Sequence, residues 1–457
     1  MVAIARTLLP PLAFAFLLAG CLGTTPEGID EPLDEAAALF APDAPGLWED
    51  PQLFPHPAYD YPTLTHVPEA APVWWQPPPA RALPETITRI EHVATFEDDG
   101  TGEAMAVFGR LAVLPNRGGG GVRVVDLTDP TSPKLLSEFE PGMGTRDADI
   151  IAYPDGSLVV ALATNSRRVP IWNITDPTQP AELAVLETKT VSHTIAVAPG
   201  TPILYNANAA GSRPNGLYDP VATTEIYDLS DPANPVLVQD WANGNGCHAL
   251  SFWFGEKQRA YCAGMEETQI WDLTDPKSPS VIARIPLHHA NPALPATAVP
   301  PVSFSHTAVV NRDATVLVVG DESIGTRPTS MPACVRGPDI ADRTVSGPMG
   351  AMWFYDISDE TRPRQLAWLS VQPEVVRDRE QTSCAAHHGR MVPDAERDLM
   401  VIGYYHAGFL LVEFTDPSRP RILDQWLAKS EAIDAWYVNG WIVTGDARHG
   451  LDVLVLE

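Results

Sequence analysis

One short phrase recurs along the chain and constrains its fold more than any other feature. A run of apolar residues is followed by Asp-Leu-Thr-Asp-Pro or a close variant, and a second proline comes three residues later. The copies occupy 122–133, 170–180, 225–235, 269–279, 353–363 and 411–420, and 451–457 matches the first half of a seventh. Self-similarity at a period of roughly 40–50 residues indicates that one supersecondary unit is used many times.

Each copy predicts a strand, a turn and the start of the next strand. The β-branched and aromatic residues before the phrase favour a strand that is buried on both faces. The Thr/Ser-Asp-Pro segment predicts a turn, because the hydroxyl and carboxylate bond nearby backbone N–H groups and proline fixes φ. The segment 147–185 contains four such strands. Four antiparallel strands in each repeat are typical of a propeller blade.

The strand count predicts how the ring closes. The seventh unit has only three strands before the chain ends, whereas the strand-like segment 86–96 stands alone before the first unit. We expect this segment to complete the last blade, because closure removes two exposed sheet edges. The sequence therefore predicts an all-β, seven-bladed β-propeller of four-stranded antiparallel blades over 86–457, with the last blade closed by an N-terminal strand.

The repeated phrase resembles that of the LVIVD-repeat β-propeller proteins, which are found on bacterial and archaeal surfaces. The resemblance covers about 90–457, with departures from the pattern at Glu360 and Glu413. It implies a propeller fold and a surface location, and it implies no single activity.

The N-terminus has the pattern of a targeting segment. Arg6 precedes a short apolar run that is too short to span a bilayer, and the run ends in Leu-Ala-Gly-Cys at 18–21. This looks like a bacterial lipobox, and it predicts a signal peptide over 1–20 and a lipid on Cys21. The protein would then be exported and held on the cell envelope by that lipid alone, in the outer membrane if the organism is Gram-negative. Cys21 following an ordinary signal peptide is the alternative.

The segment 21–85 is acidic and rich in proline, which predicts a tether. It also contains aromatic residues such as Trp48, Trp74 and Trp75, which are too apolar for a fully solvated linker. We therefore expect its later half to pack on the propeller.

The charge of the chain argues against nucleic acid as a partner. The chain has 30 Lys+Arg against 58 Asp+Glu, a formal net charge of −28, and it contains no basic run. A protein, a glycan or a small molecule remains as the expected ligand.

Export would make disulfides possible among the remaining cysteines. Cys247 opens the first strand of one unit and Cys262 ends its second strand, so antiparallel pairing would bring them together. Cys334 and Cys384 fall on the same face and are a second candidate pair. Free, buried thiols are the alternative for both pairs.

The opening residues of the seven first strands form the main candidate site. The first strand of each blade lines the channel, so these residues would ring one mouth of it. They are Glu103, Asp149, His193, His248, His306, His388 and Asp434. Imidazoles and carboxylates that converge on one axis could hold one Cu, Zn or Fe ion. The alternative is a structural polar ring, inherited when the repeat was duplicated.

More histidines are predicted on the same face, in loops that enter or join these strands. They are His288, His289, His387, His406 and His449. Loops that cluster on one face of a repeat fold usually mark the working surface. The sequence thus favours an exported, lipid-anchored interaction module that acts through a His-rich face. The alternatives are a metal-dependent exported enzyme and a structural component with an inert channel.

Overall fold

The computed structural model describes residues 72–457, except for 99, 101, 103, 208–222, 245, 265–266, 287–303, 323–349, 372–384 and 395. In these residues it contains 28 β-strands and a single turn of 3-10 helix at Val73–Trp75. The strands form seven four-stranded antiparallel sheets arranged as a propeller, which confirms the predicted fold class. The described part of the chain has no helix with the length and apolarity needed to cross a membrane.

The strands are numbered in chain order, and each blade runs from a first, inner strand to a fourth, outer strand. Blade 1 is β2 (Ala106–Phe108), β3 (Leu111–Leu114), β4 (Val122–Asp126) and β5 (Lys134–Phe139). Blade 2 is β6 (Asp147–Ala152), β7 (Leu158–Ala163), β8 (Ser166–Asn173) and β9 (Ala181–Ser192). Blade 3 is β10 (Thr194–Val197), β11 (Ile203–Ala207), β12 (Thr224–Asp228) and β13 (Val236–Trp241). Blade 4 is β14 (Ala249–Phe254), β15 (Gln258–Ala263), β16 (Glu267–Asp272) and β17 (Ser280–Pro286).

The remaining blades follow the same order. Blade 5 is β18 (Ser305–Val310), β19 (Val316–Asp321), β20 (Met352–Asp356) and β21 (Arg364–Leu369). Blade 6 is β22 (Gly389–Val392), β23 (Leu399–Gly403), β24 (Phe409–Glu413) and β25 (Arg421–Trp426). Blade 7 is β26 (Ala432–Val438), β27 (Trp441–Asp446), β28 (Gly450–Leu456) and β1 (Ile90–Glu97).

The N-terminal strand closes the ring as the sequence predicts. β1 pairs antiparallel with β28, from Ile90 opposite Leu456 to Glu97 opposite Gly450. The first and last parts of the propeller therefore share one sheet, and the third strand of blade 7 is not left as an open edge.

The hydrophobic core is divided among the interfaces between blades. The described residues form seven buried clusters, one at each interface between neighbouring blades. Between blades 5 and 6, for example, Phe354 packs against Phe414 with ring centroids 5.4 Å apart. Because a middle strand is buried by the blades on both sides, it reads as a continuous apolar run rather than an alternating one.

The antiparallel order gives the propeller two chemically different faces. First strands begin at one end of the channel, and third strands end at the other. The turn face is the face formed by the turns after first strands, such as 109–110, and after third strands, such as 127–133. The repeated phrase forms those latter turns: Asp272 accepts hydrogen bonds from the Thr274 backbone N (2.8 Å) and hydroxyl (2.6 Å).

The segment 72–89 crosses the turn face of blades 2, 1 and 7. Trp75 is 1% exposed, meets Phe108 edge-on at 5.5 Å and donates to the carbonyl of Gly156 (3.1 Å). Gly109 and Gly440 have positive φ, and a Cβ on either would lie 2.0 Å from a carbonyl oxygen of this segment. The end of the predicted 21–85 tether thus packs on the propeller, while 1–71, including Cys21 and Trp48, lie outside the described residues.

Cys247 and Cys262 form a disulfide within blade 4, with Cα atoms 5.4 Å apart. Both residues are fully buried in the core between blades 3 and 4. The second predicted pair, Cys334 and Cys384, lies outside the described residues.

Candidate metal and ligand site at the channel mouth

The structure brings four of the predicted histidines together at one mouth of the channel. His193, His248 and His388 immediately precede the inner strands of blades 3, 4 and 6, and His306 lies near the start of the inner strand of blade 5. The ring centroids of His193 and His248 are 4.6 Å apart, those of His248 and His306 are 4.1 Å apart, and those of His306 and His388 are 4.8 Å apart. Four neighbouring blades therefore contribute one continuous row of imidazoles.

His387 belongs to the same cluster, although the sequence placed it only on the surrounding face. Its ring lies 4.2 Å from that of His306 and 4.5 Å from that of His388. Its Nδ1 is 2.7 Å from the carbonyl oxygen of Ile433, which can only accept a hydrogen bond. Nδ1 therefore carries the proton, and Nε2 keeps its lone pair. The adjacent His387-His388 pair in the sequence was the signal for this fifth member.

The structure corrects the position of Asp149. In blade 4 the His248 backbone N donates to the carbonyl oxygen of Ala263 (2.6 Å). In blade 2 the Arg146 backbone N donates to the carbonyl oxygen of Ala163 (2.8 Å), so Arg146, and not Asp149, occupies the place of His248. Asp149 lies three residues farther along β6 and accepts a hydrogen bond from the Val197 backbone N (2.7 Å). The alignment failed because β6 begins earlier than its apolar residues suggest.

Asp434 also lies below the mouth rather than in the ring. A bulge precedes it in β26 as one precedes Thr307 in β18, so Ile433 takes the place of His306. Asp434 is 1% exposed and accepts a hydrogen bond from Trp436 Nε1 (2.9 Å). Asp149 and Asp434 line a cavity of about 120 Å³ that also contacts His388 and extends farther down the channel.

The other predicted residues do not join the cluster. His406 Nε2 lies 3.6 Å from Glu431 Oε1, and His449 lies in the turn between β27 and β28. Neither lines the cavity at the mouth. Glu103, His288 and His289 lie outside the described residues.

The histidine cluster surrounds a cavity of about 310 Å³, which we term the imidazole cavity. Besides the five histidines, the described residues of its wall comprise one carboxylate, two guanidinium groups, a phenol and smaller or apolar residues. These are Glu322, Arg117, Arg146, Tyr405, Phe304, Thr194 and Ala104. The sequence did not single out Glu322, Tyr405 or either arginine.

Glu322 places a carboxylate beside the histidines. Its Oε2 is 3.6 Å from His306 Nε2, and its Oε1 accepts a hydrogen bond from the Tyr405 hydroxyl. Tyr405 has a φ of +46°, which is unusual for a bulky residue, and its ring contacts His387 at 4.9 Å. Strained backbone of this kind is concentrated at functional sites.

Among the described residues, two sets of side chains have the spacing of a metal site. Within each set, one potential ligand atom of each residue lies within 4.8 Å of those of the others. The first set is His248, His306 and Glu322, and the second is His306, His387 and His388. His306 is common to both sets and therefore lies at the centre of the cluster.

Burial keeps the imidazoles neutral near pH 7. Burial, assisted by Arg146, lowers the pKa of His193 to about 3, and burial with Arg390 lowers that of His388 to about 3. Burial and the neighbouring histidines hold the pKa of His248 and of His306 well below the ordinary value, and burial does the same for His387. A neutral imidazole is the form that binds a metal ion.

Two of these imidazoles contain unsatisfied polar atoms. His248 is 5% exposed and His306 is 1% exposed. The Nδ1 atom of each is buried and has no hydrogen-bond partner among the described residues. A buried polar atom without a partner costs about 1–3 kcal/mol, so a bound ligand is a physical reason for its presence.

Comparison with known proteins shows the fold and no family. No family model matches the chain, and no curated protein sequence does either. The WD40 repeats of RRP9 align with a TM-score of 0.50 at 11% identity, over 83% of this chain and 100% of that one. Raptor from Chaetomium thermophilum aligns with a TM-score of 0.52 at 9% identity, over 81% of this chain and 29% of that one. At these identities the likeness is one of propeller architecture alone.

Proposed function

We propose that this propeller is a ligand-binding module whose imidazole cavity holds one transition-metal ion, Cu, Zn or Fe. The observation that carries the proposal is that, among the described residues, five neutral imidazoles and one carboxylate converge on one cavity. Nitrogen ligands with a carboxylate are typical of Zn sites, and imidazole also suits Cu and Fe.

The contacts of the cluster support a particular ligand set. His306 takes part in both groups with metal-site spacing, so its loss would affect either arrangement. The Ile433 carbonyl fixes the tautomer and orientation of His387, and Tyr405 fixes Glu322. Outer partners of this kind orient ligands for a metal in known sites.

A purely structural ring is less consistent with these contacts. Such a ring predicts that its polar atoms bond one another or the backbone, as Asp149 does farther down the channel, where it accepts a hydrogen bond from the Val197 backbone N. The Nδ1 atoms of His248 and His306 do neither among the described residues. Binding to a metal would turn this unfavourable burial into a stabilising interaction.

We further propose that the module is exported and anchored by a lipid on Cys21, as in the LVIVD-repeat surface proteins that the repeat resembles. The lipobox-like 18–21 supports the anchor. The segment 72–89 reaches the propeller on the turn face, opposite the imidazole cavity. The tether would then join the propeller on the face opposite the cavity, which leaves the cavity accessible to a protein, glycan or small-molecule ligand.

A metal-dependent enzyme is the second candidate. The observation that favours it is the size of the cavity, about 310 Å³, which is far more than one ion occupies. A metal held by three protein ligands keeps an open position for water or substrate.

Metal analysis of the full chain, purified in detergent without a polyhistidine tag, tests the proposal. We expect about one Cu, Zn or Fe ion per chain. The His193→Ala/His248→Ala/His306→Ala variant should contain none, whereas the control His406→Ala/His449→Ala should retain it. The single variant His306→Gln replaces the triple variant if circular dichroism shows that the latter is unfolded. A wild-type chain that takes up none of the three metals, even after soaking, would overturn the metal site.

A further inference from the structure

The imidazole cavity has a cationic side and an acidic side. Arg117 follows the second strand of blade 1, and Arg146 precedes the first strand of blade 2. Glu322 lies across the cavity in blade 5, with the histidines between. The chain as a whole has 30 Lys+Arg and a net charge of −28, so two arginines on one cavity wall oppose its general charge.

Arg146 lines the same cavity as the histidines, which come from blades 3 to 6. A guanidinium group in this position repels a metal cation in the same cavity. An anion between the two cations would convert that repulsion into attraction on both sides.

The donors around the cavity fit an anion with several oxygen atoms. A guanidinium group presents N–H donors in a planar fork that matches carboxylate and phosphate oxygens. A neutral imidazole has one N–H donor. That of His387 is bonded to the Ile433 carbonyl, and Nδ1 of His193 lies 2.6 Å from Asn165 Oδ1, so His248, His306 and His388 are the imidazoles that can donate to an anion. Space is sufficient as well, since an engineered cavity of about 150 Å³ accommodates benzene, and this cavity measures about 310 Å³.

We propose that the imidazole cavity binds a small oxyanion, a carboxylate or a phosphate-like group, which Arg117 and Arg146 hold on the side facing the histidines. The inference rests on the proposed metal site, because it assigns the anion to the space between the arginines and the metal. It names the chemical class of the ligand: a compact, negatively charged molecule rather than a neutral glycan or a basic peptide.

Isothermal titration calorimetry of the full chain with phosphate, sulfate and succinate tests the inference. Each anion is titrated into metal-loaded and chelator-treated protein, alongside Arg146→Gln, Arg117→Gln and the control Arg362→Gln. Arg362 is an exposed residue of the turn face, paired with Asp359 at 2.8 Å. We expect one site for at least one of the anions, with a Kd raised about tenfold or more by each cavity variant. The control should leave the Kd unchanged.

The outcomes separate this inference from the metal proposal. Metal-loaded wild type that binds none of the three anions overturns the oxyanion site and leaves the metal site standing. An anion that binds equally well to wild type and to folded Arg146→Gln and Arg117→Gln also overturns it. A chain that binds the anion through these arginines yet never takes up metal supports the oxyanion site and overturns the metal site. Thermal denaturation of each variant verifies that it is folded.

Discussion

The turn face and the imidazole cavity are built from the same repeat, but their polar groups differ. Those of the turn face are the same in most blades and are satisfied within their own turns, whereas those of the cavity differ between blades and include buried atoms without a partner among the described residues. On the turn face the repeated carboxylates bond their own turns, as Asp126 does with the backbone N of Thr128 at 2.7 Å. At the cavity the equivalent position changes from blade to blade: it is Arg146 in blade 2, His248 in blade 4 and Ile433 in blade 7. The turn that is repeated in the blades stabilises the fold, and the position that varies between the blades provides residues of the candidate site.

This difference has an energetic counterpart. A turn that satisfies its own donors stabilises the fold locally and leaves nothing for a ligand to bind. A buried group without a partner destabilises the free protein and is stabilised when a ligand arrives. Substitutions in the repeating part should therefore change stability, and substitutions at the cavity should mainly change binding.

The largest expected effect comes from the interface between blades. Phe354 is fully buried between blades 5 and 6, and Phe354→Ala leaves a cavity against Phe414. We expect the free energy of unfolding to fall by about 3–5 kcal/mol, as measured by urea denaturation. The metal content per folded chain should not change. A loss below about 1 kcal/mol would show that the blade interfaces are not the main source of stability.

Removal of the disulfide should cause the next largest loss of stability, and it should also reduce metal binding at the imidazole cavity. Cys247 and Cys262 are 15 residues apart, and removing both sulfur atoms in Cys247→Ala/Cys262→Ala should cost about 3 kcal/mol. Because Cys247 directly precedes His248, metal content should fall as well. Unchanged metal content in the folded double variant would show that the disulfide does not position His248.

Acidification should destabilise the folded chain through the buried histidines of the imidazole cavity. The pKa of His306 is held well below 6.5 in the folded chain by burial and neighbouring histidines, so the unfolded chain binds protons first. Stability should therefore fall as the pH drops below about 6.5, by up to about 1.4 kcal/mol per pH unit for this one residue. In chelator-treated protein, His306→Gln should reduce the slope by that amount. Identical slopes for wild type and variant would contradict the burial of a neutral imidazole.

The smallest effect is expected at a single turn of the repeated phrase. Asp272→Ala removes the two hydrogen bonds to Thr274. We expect a loss of about 1 kcal/mol or less, because the turn is partly solvated and the backbone N can bond water instead. Neither metal nor oxyanion binding should change, and a loss of either would mean that the two faces are coupled.

The fold could be predicted from the sequence because the same pattern of strands and turns recurs in several repeats. Each phrase marks the end of one strand and the start of the next, and the lone segment before the first unit had one obvious place, where β1 lies. The Cys247–Cys262 disulfide followed from the same strand order. The strands of each blade could be assigned by comparison with those of the other blades.

The site was predictable only where a side chain recurs at the same place in the aligned strands. His193, His248, His306 and His388 were found in this way. Asp149 and Asp434 were misplaced, because a strand that begins early and a bulge both shift the register without changing the apolar pattern.

The remaining cavity residues had no repeated pattern to reveal them. Arg117, Glu322 and Tyr405 each follow the second strand of a blade, and they come from blades 1, 5 and 6. Their convergence depends on how the blades are arranged around the axis, which the apolar pattern of one blade does not specify.

The most direct test of the central claim is X-ray absorption spectroscopy at the absorption edge of the bound metal, on the full chain purified without a polyhistidine tag. The proposed site predicts at least two imidazole nitrogen atoms at about 2.0–2.1 Å from the metal, together with oxygen ligands. This signature should disappear in His306→Gln and persist in His449→Gln. A ligand shell of oxygen atoms alone, or an imidazole signal that survives His306→Gln, would contradict a metal site in the imidazole cavity.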